Sequence, residues 1–172
     1  FAPIGAKWHY TMPLINYPDF SYSVFTSIKD TTINNTDCKI IQRYCPMNIN
    51  GNFEPNYTNY FFYTDSNKVY YAINDQFQLL YDFNKNAGDY WIRDCSINID
   101  TVFVDSVSSI SIDGQILKVQ YIRNNCNFEM FTGVVIEKIG WLGYLFPYFT
   151  DEAPPEGGAL RCYQDDYIDY FL

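Results

Sequence analysis

The chain has 172 residues, with 20 Asp and Glu against 11 Lys and Arg, a net charge of −9, and one histidine. That length suits a single domain, and 48% hydrophobic against 18% charged residues excludes a charged, disordered tail. The acidic balance disfavours a protein that tracks phosphates with a basic face, and imidazole chemistry has only His9 to work with.

Tyr 17, Phe 14 and Trp 3 bring the aromatic content to 20%. Together with abundant Ile, Val and Thr they favour strands, whereas Ala, Leu and Glu are scarce. Asn and Asp, which tolerate the left-handed backbone of tight turns, punctuate the apolar runs. This pattern predicts an all-β domain. The longest apolar stretch, residues 140–149, contains Pro147 and is about half of what a membrane-crossing helix needs.

In chain order, residues 1–19 hold Pro3, Pro13 and Pro18 and predict a short edge strand around Trp8, followed by a loop. Residues 22–28 alternate, and Asn34-Asn35 joins them to residues 38–44 as a hairpin. Residues 46–57 read as a polar loop. Residues 60–64 and 69–73 form a second hairpin across Asp65-Ser66-Asn67, and residues 77–83 are expected to pair with 90–92. The clearest hairpin spans 101–123, with Asp113-Gly114 suited to the positive φ angles of a type I′ turn. A strand at 132–139, a short helical piece at 140–146, a loop at 151–158 and a hairpin of 160–163 with 167–171 complete the chain. About ten strands at short spacing predict one mainly antiparallel meander that forms a barrel or half-barrel, with a two-sheet β-sandwich as the alternative.

Five cysteines and a first residue that is not Met lead us to expect an exported, disulfide-bonded chain. Cys95 and Cys126 flank the 101–123 hairpin, so a bridge between them would staple its open end. Cys38, Cys45 and Cys162 have no evident pairing. In a continuous strand Cys38 and Cys45 would face opposite ways, roughly 20 Å apart. No spacing supports a four-ligand zinc site, and Asp165, Asp166 and Asp169 do not follow a calcium-loop spacing.

His9, between Trp8 and Tyr10, reads as a strand residue. There is no Gly-x-Ser-x-Gly elbow, and Gly140-Trp-Leu-Gly143 and Gly157-Gly158 lack the residues of a phosphate cradle. Asp65, Asp75, Asp113, Asp165 and Asp166 read as solvated turn carboxylates. Glu137, inside an apolar run, reads as an outward strand residue. The largest excess is aromatic: Tyr57, Tyr60, Phe61, Phe62, Tyr63, Tyr70 and Tyr71 crowd two neighbouring strands. Of these, Tyr57, Tyr60, Phe62, Tyr70 and Tyr71 are the candidate binding face, since exposed rings supply contact area with little entropy loss. Cross-strand packing would use the same residues.

Several phrases resemble those of secreted Bacteroidetes proteins. Residues 1–10, Phe-Ala-Pro-Ile-Gly-Ala-Lys-Trp-His-Tyr, are similar to their mature start, and residues 30–41 to a "D-T-x-I-x-G-x-x-C-x-x-I" hairpin. Residues 77–83 followed by 87–91 resemble "F-x-L-L-Y-D-F…x-G-D-T-W", residues 135–140 "x-x-E-G-I-G", and residues 160–163 "L-x-C-Y", with Asn35 and Lys138 departing where glycine is usual. The resemblance implies export through the type IX secretion system, with a C-terminal sorting domain absent from this sequence. It implies an address and no catalytic residues.

The function expected is therefore a secreted or cell-surface, non-enzymatic module that binds a partner or self-assembles, at the extracellular surface of a bacterium. Its partners would be a protein, another copy or an extracellular glycan. Neither a nucleic acid, nor a membrane-spanning segment, nor a cofactor is expected. A β-barrel carrier of an apolar ligand and a carboxylate-dependent polysaccharide hydrolase are the alternatives.

Overall fold

The structure is a computed structural model that describes residues 1–13, 20–49, 52–73, 76–95, 98–126, 129–149 and 158–172. Among these residues there is no helix, and every strand pairing is antiparallel. In chain order the strands are β1 (Lys7–Pro13), β2 (Phe20–Ile33), β3 (Thr36–Ile49), β4 (Asn52–Asp65), β5 (Lys68–Ile73), β6 (Gln76–Asp82), β7 (Tyr90–Cys95) and β8 (Asn98–Ile112). They continue as β9 (Gln115–Asn124), β10 (Glu129–Met130), β11 (Gly133–Ile136), β12 (Gly140–Trp141), β13 (Tyr148–Phe149), β14 (Leu160–Gln164) and β15 (Asp169–Phe171).

An eight-stranded sheet has the order β15-β14-β1-β2-β3-β4-β5-β6, and a five-stranded sheet has the order β12-β11-β9-β8-β7. One of the two curves as a half-barrel, and β10 with β13 forms a small third ladder. The all-β antiparallel expectation is thus met, with features of both architectures it allowed.

Local chemistry explains the hairpins. Asn34 and Asn35 (φ 48° and 61°), Ser66 and Asn67 (49° and 65°), and Asp113 and Gly114 (48° and 78°) form two-residue turns with positive φ at both central positions. That geometry matches the right-handed twist of the flanking strands.

Four expectations about the placing of the elements need correction. The strand around Trp8 is internal, because β14 returns from the far end of the chain to pair Trp8 with Tyr163 while β2 occupies its other side. Most of residues 46–57 extend the long β3–β4 ladder, with Cys45 opposite Asn56 and Pro46 opposite Pro55, so register set further along the hairpin overrides the polar composition. Residues 140–146 are not helical: Gly140 has φ +97° and begins β12. Finally, β6 and β7 do not pair; they lie at the edges of different sheets.

The segment joining β6 to β7 crosses between the sheets. Phe83 N donates to Asn67 O in the first sheet at 3.0 Å, and Gly88 N donates to Val104 O in the second at 2.8 Å. Lys118 Nζ donates to Phe83 O (2.9 Å), Lys85 O (2.6 Å) and Asn86 Oδ1 (3.1 Å), and Gln120 Nε2 donates to Asp82 O (3.0 Å) and Lys85 O (2.9 Å). These side chains satisfy carbonyls that a β6–β7 ladder would otherwise have used. Glu137 belongs to the same system. It follows β11 in a turn, accepting from Lys118 N at 3.1 Å, so it is not an outward strand residue.

The core lies between the sheets. Trp8, Tyr10, Phe25, Phe62 and Tyr81 from the larger sheet meet Trp91, Val104, Val119, Val135 and Trp141 from the smaller, with Phe131, Leu145 and Phe146 wedged among them. Several of the core rings find polar partners across the gap: Trp8 Nε1 donates to Ile139 O (2.7 Å) and Tyr10 Oη to Trp141 O (3.1 Å). Tyr81 Oη donates to Leu145 O (2.7 Å) and accepts from Trp141 N (3.1 Å). Tyr81→Phe removes both bonds at once and leaves a buried carbonyl and amide without that partner. It should cost about 1–3 kcal/mol in urea unfolding.

Burial of the tyrosines makes the fold sensitive to alkali. Desolvation pushes the Tyr71 phenol up to about 12, the nearby Arg93 guanidinium opposing, and burial also raises Tyr10, Tyr81 and Tyr163. Below pH ~10, the unfolded phenol value, both states are neutral and stability is complete. Between about 10 and 12 the unfolded chain ionises while the folded one holds its protons, so stability falls as pH rises. Tyrosinate absorbance should show a buried class that appears only with loss of structure.

Candidate functional site

The tip of the β2–β3 hairpin, the end of β4 and the ring of Phe1 enclose a cleft of about 540 Å³. The two-residue Asn34-Asn35 turn sets the register that builds its wall: Thr32 lies opposite Asp37, and Asp30 opposite Lys39. These four positions share one face of the hairpin, because side chains alternate along each strand. Lys39 Nζ donates to Asp30 Oδ1 at 2.8 Å, and Thr32 Oγ1 donates to Asp37 Oδ1 at 3.0 Å. The β3–β4 ladder then brings Phe62 opposite Lys39, with Tyr63 and Thr64 next along the strand. The result is a cleft with aromatic carbon, hydroxyls, two carboxylates and an ammonium in one lining.

Tyr63 connects this cleft to the outer face of the large sheet. Its ring stacks on Tyr70 at 4.4 Å with planes 2° apart, and Phe77 meets it edge-on at 4.8 Å. Burial, with Tyr70 and Asp65 adding to it, raises the Tyr63 phenol, so the group stays a neutral donor at physiological pH. A second row, Tyr22–Tyr44–Tyr57, crosses three adjacent strands with ring centroids 6.2 and 5.4 Å apart.

The sequence-predicted aromatic face divides between two environments. Tyr57, 60% exposed, and Tyr70 belong to the outer clusters just described. Tyr60, Phe62 and Tyr71 turn inward against Phe146, with ring centroids 4.5, 5.4 and 5.7 Å away. Only Phe62 of these three also lines the cleft. Strand alternation imposes the split, and crowding in the sequence does not reveal which alternate goes where.

Asp30, Thr32, Asp37 and Lys39 were not singled out from the sequence. The signal was available: a two-residue turn at Asn34-Asn35 dictates which residues stand opposite one another. His9 pairs with Val24 and Cys162 on β1, and desolvation, with Lys7 and Arg161, lowers its pKa, leaving a neutral imidazole in a strand position. Asp165 caps the β14–β15 turn, accepting from Tyr167 N (2.7 Å) and Ile168 N (2.8 Å), and Asp113 accepts from Asp169 N (2.7 Å). Asp75 and residues 151–157 lie outside the described residues.

Cys95 and Cys126 form a disulfide that ties the end of β7 to the segment following β9, as the hairpin-staple reading expected. Beside it Arg93, 3% exposed, contacts Asp100 Oδ2 and Glu129 Oε2, each at 2.8 Å, with its guanidinium 5.2 Å from the Phe131 ring centre. Cys38 and Cys45 are buried thiols and Cys162 is half-buried. Burial raises the Cys38 and Cys162 thiols, which makes them poor nucleophiles.

The fold and the cleft define an all-β, aromatic-cored domain with a mixed polar and aromatic surface site. No family model, curated protein or solved structure matches the chain.

Proposed function

We propose that this protein is an exported, non-enzymatic binding module whose cleft at the β2–β3 tip holds an extracellular glycan. One observation carries the reading: a cleft of about 540 Å³ is lined by Asp30, Asp37, Thr32 and Lys39 together with the aromatic residues Phe1, Phe62 and Tyr63. Sugars present apolar C–H faces that stack on rings and rims of hydroxyls that need paired donors and acceptors. The disulfide supports an oxidising destination. No helix among the described residues is long and apolar enough to cross a membrane.

Glycan-array screening of the purified chain, followed by calorimetry on the best hit, tests the proposal. Asp37→Ala should weaken binding at least about tenfold, as expected for losing a paired hydrogen bond to a charged group. Tyr57→Ala, outside the cleft, should leave it unchanged. The absence of any glycan hit, or equal affinity in both variants, overturns the reading.

Hydrolysis is the second reading, because Asp30 and Asp37 are diagonal neighbours across the β2–β3 ladder. Diagonal positions are about 7–8 Å apart, within the separation of an inverting glycosidase pair. Binding ranks first because Asp30, 66% exposed, is ion-paired with Lys39. Release of reducing ends from a bound polysaccharide, abolished by Asp37→Asn, would reverse that order.

A further inference from the structure

Away from the cleft, Cys95 Sγ, Cys126 Sγ and a carboxylate oxygen of Glu129 all lie within 4.8 Å of one another. The three residues come from separate places. Cys95 ends β7, where it is held opposite Asn98; Cys126 follows β9; Glu129 opens β10, opposite Phe149. Cys95 and Glu129 are thus fixed by strand pairing, and Cys126 lies just beyond the end of β9. The Cα atoms of the cysteines are 6.5 Å apart. That leaves room for two thiolates about 3.8 Å apart on one tetrahedral ion with Zn–S bonds of about 2.3 Å.

The surroundings favour a divalent cation. Arg93 holds Glu129 through Oε2 at 2.8 Å and is itself held by Asp100 at 2.8 Å. Asp100 in turn accepts from Asn124 Nδ2 (3.1 Å) and Asn125 N (3.0 Å). A carboxylate fixed from behind in this way is a pre-oriented metal ligand. One guanidinium serves two carboxylates here, so two further thiolates would create a local negative excess that a divalent ion offsets. Cys126 is half-buried, which gives a reductant and solvent access to one side.

We propose that the Cys95–Cys126 bridge is one state of a two-state site, and that its reduction creates a Zn²⁺ site made of Cys95, Cys126 and Glu129, with water completing the coordination. An external dithiol delivers two electrons and two protons to the disulfide and itself closes to a disulfide. Zn²⁺ then displaces the two thiol protons to solvent and is held by both thiolates and the Glu129 carboxylate. In the reverse direction, exchange with an external disulfide re-forms the sulfur–sulfur bond: that disulfide takes up the two electrons and, with two protons from solvent, leaves as two thiols, and Zn²⁺ is released.

The test uses the full chain with Cys38→Ser, Cys45→Ser and Cys162→Ser, so that the only thiols are those of the site. The protein is reduced with a phosphine, which is converted by water to its oxide, and titrated with Co²⁺ and then Zn²⁺. The expected result is one Co²⁺ per chain, with a thiolate-to-cobalt charge-transfer band and tetrahedral visible bands that Zn²⁺ bleaches. The oxidised protein should show none of these. Glu129→Gln should weaken Co²⁺ binding about tenfold or more, as loss of a ligand requires. Circular dichroism, followed in parallel, covers the case in which the reduced chain loses structure: Zn²⁺ should then restore the fold in the parent and restore it poorly in Glu129→Gln. A reduced chain that shows neither cobalt–thiolate bands nor metal-dependent refolding overturns the proposal. So does binding that Glu129→Gln leaves untouched.

Discussion

Arg93→Met should destabilise the protein by about 3–5 kcal/mol, the usual cost of breaking a buried ion pair from one side. The side chain is almost wholly buried between Asp100 and Glu129. Removing the guanidinium leaves two carboxylates, 1% and 8% exposed, to be desolvated without it. Asp100 keeps its bonds from Asn124 and Asn125, so the larger share of the loss should fall on Glu129 and the short β10 strand it opens. Urea unfolding monitored by tryptophan fluorescence measures the loss. The triple replacement Arg93→Met, Asp100→Leu, Glu129→Leu should recover most of it, because hydrophobic groups of similar volume substitute well for a buried charged cluster. A single-variant loss below about 1 kcal/mol would mean that water reaches the carboxylates and that the cluster is not desolvated in solution.

Removing the disulfide with Cys95→Ala and Cys126→Ala should cost about 3–4 kcal/mol, the chain-entropy value for a closed loop of this size. The cysteines are 31 residues apart and enclose β8, β9 and their type I′ turn. The β8–β9 ladder persists without the bridge, from Val102 opposite Asn124 to Ile112 opposite Gln115. The loss should therefore come mainly from a larger unfolded ensemble, seen as an increased urea m-value. Local effects should be confined to the open end, where Asn98 faces Cys95. A loss much greater than this would show that the bridge also holds the Arg93 cluster closed. An unchanged midpoint would show that the open end is held without it.

Much of the β-hairpin architecture was legible in the residues. Asn34-Asn35, Ser66-Asn67 and Asp113-Gly114 announced their turns because few residues accept positive φ at both positions, and alternation gave the strands on either side. The Cys95–Cys126 pairing followed from the same hairpin logic. The cleft was only half legible. Phe62 stood out as an aromatic, but Asp30, Thr32, Asp37 and Lys39 look like ordinary surface residues until the turn register sets them on one face. The division of the aromatic cluster into inward Tyr60, Phe62 and Tyr71 and outward Tyr57 and Tyr70 was not legible. Both faces of those strands are aromatic, so periodicity names two sets without saying which is buried.

By itself, then, the sequence determined the strand-rich class, the local turns, the acidic surface and the chemistry left open to a protein with one histidine. These depend on backbone preferences and charge, which act within a few residues. The tertiary structure decided what joins distant segments. It placed β14 beside β1 and sent residues 83–89 across from one sheet to the other. It also gathered Arg93, Asp100 and Glu129 beside the disulfide. These outcomes depend on which buried carbonyls and charges find partners once the two sheets close on an aromatic core, and no local pattern carries that information.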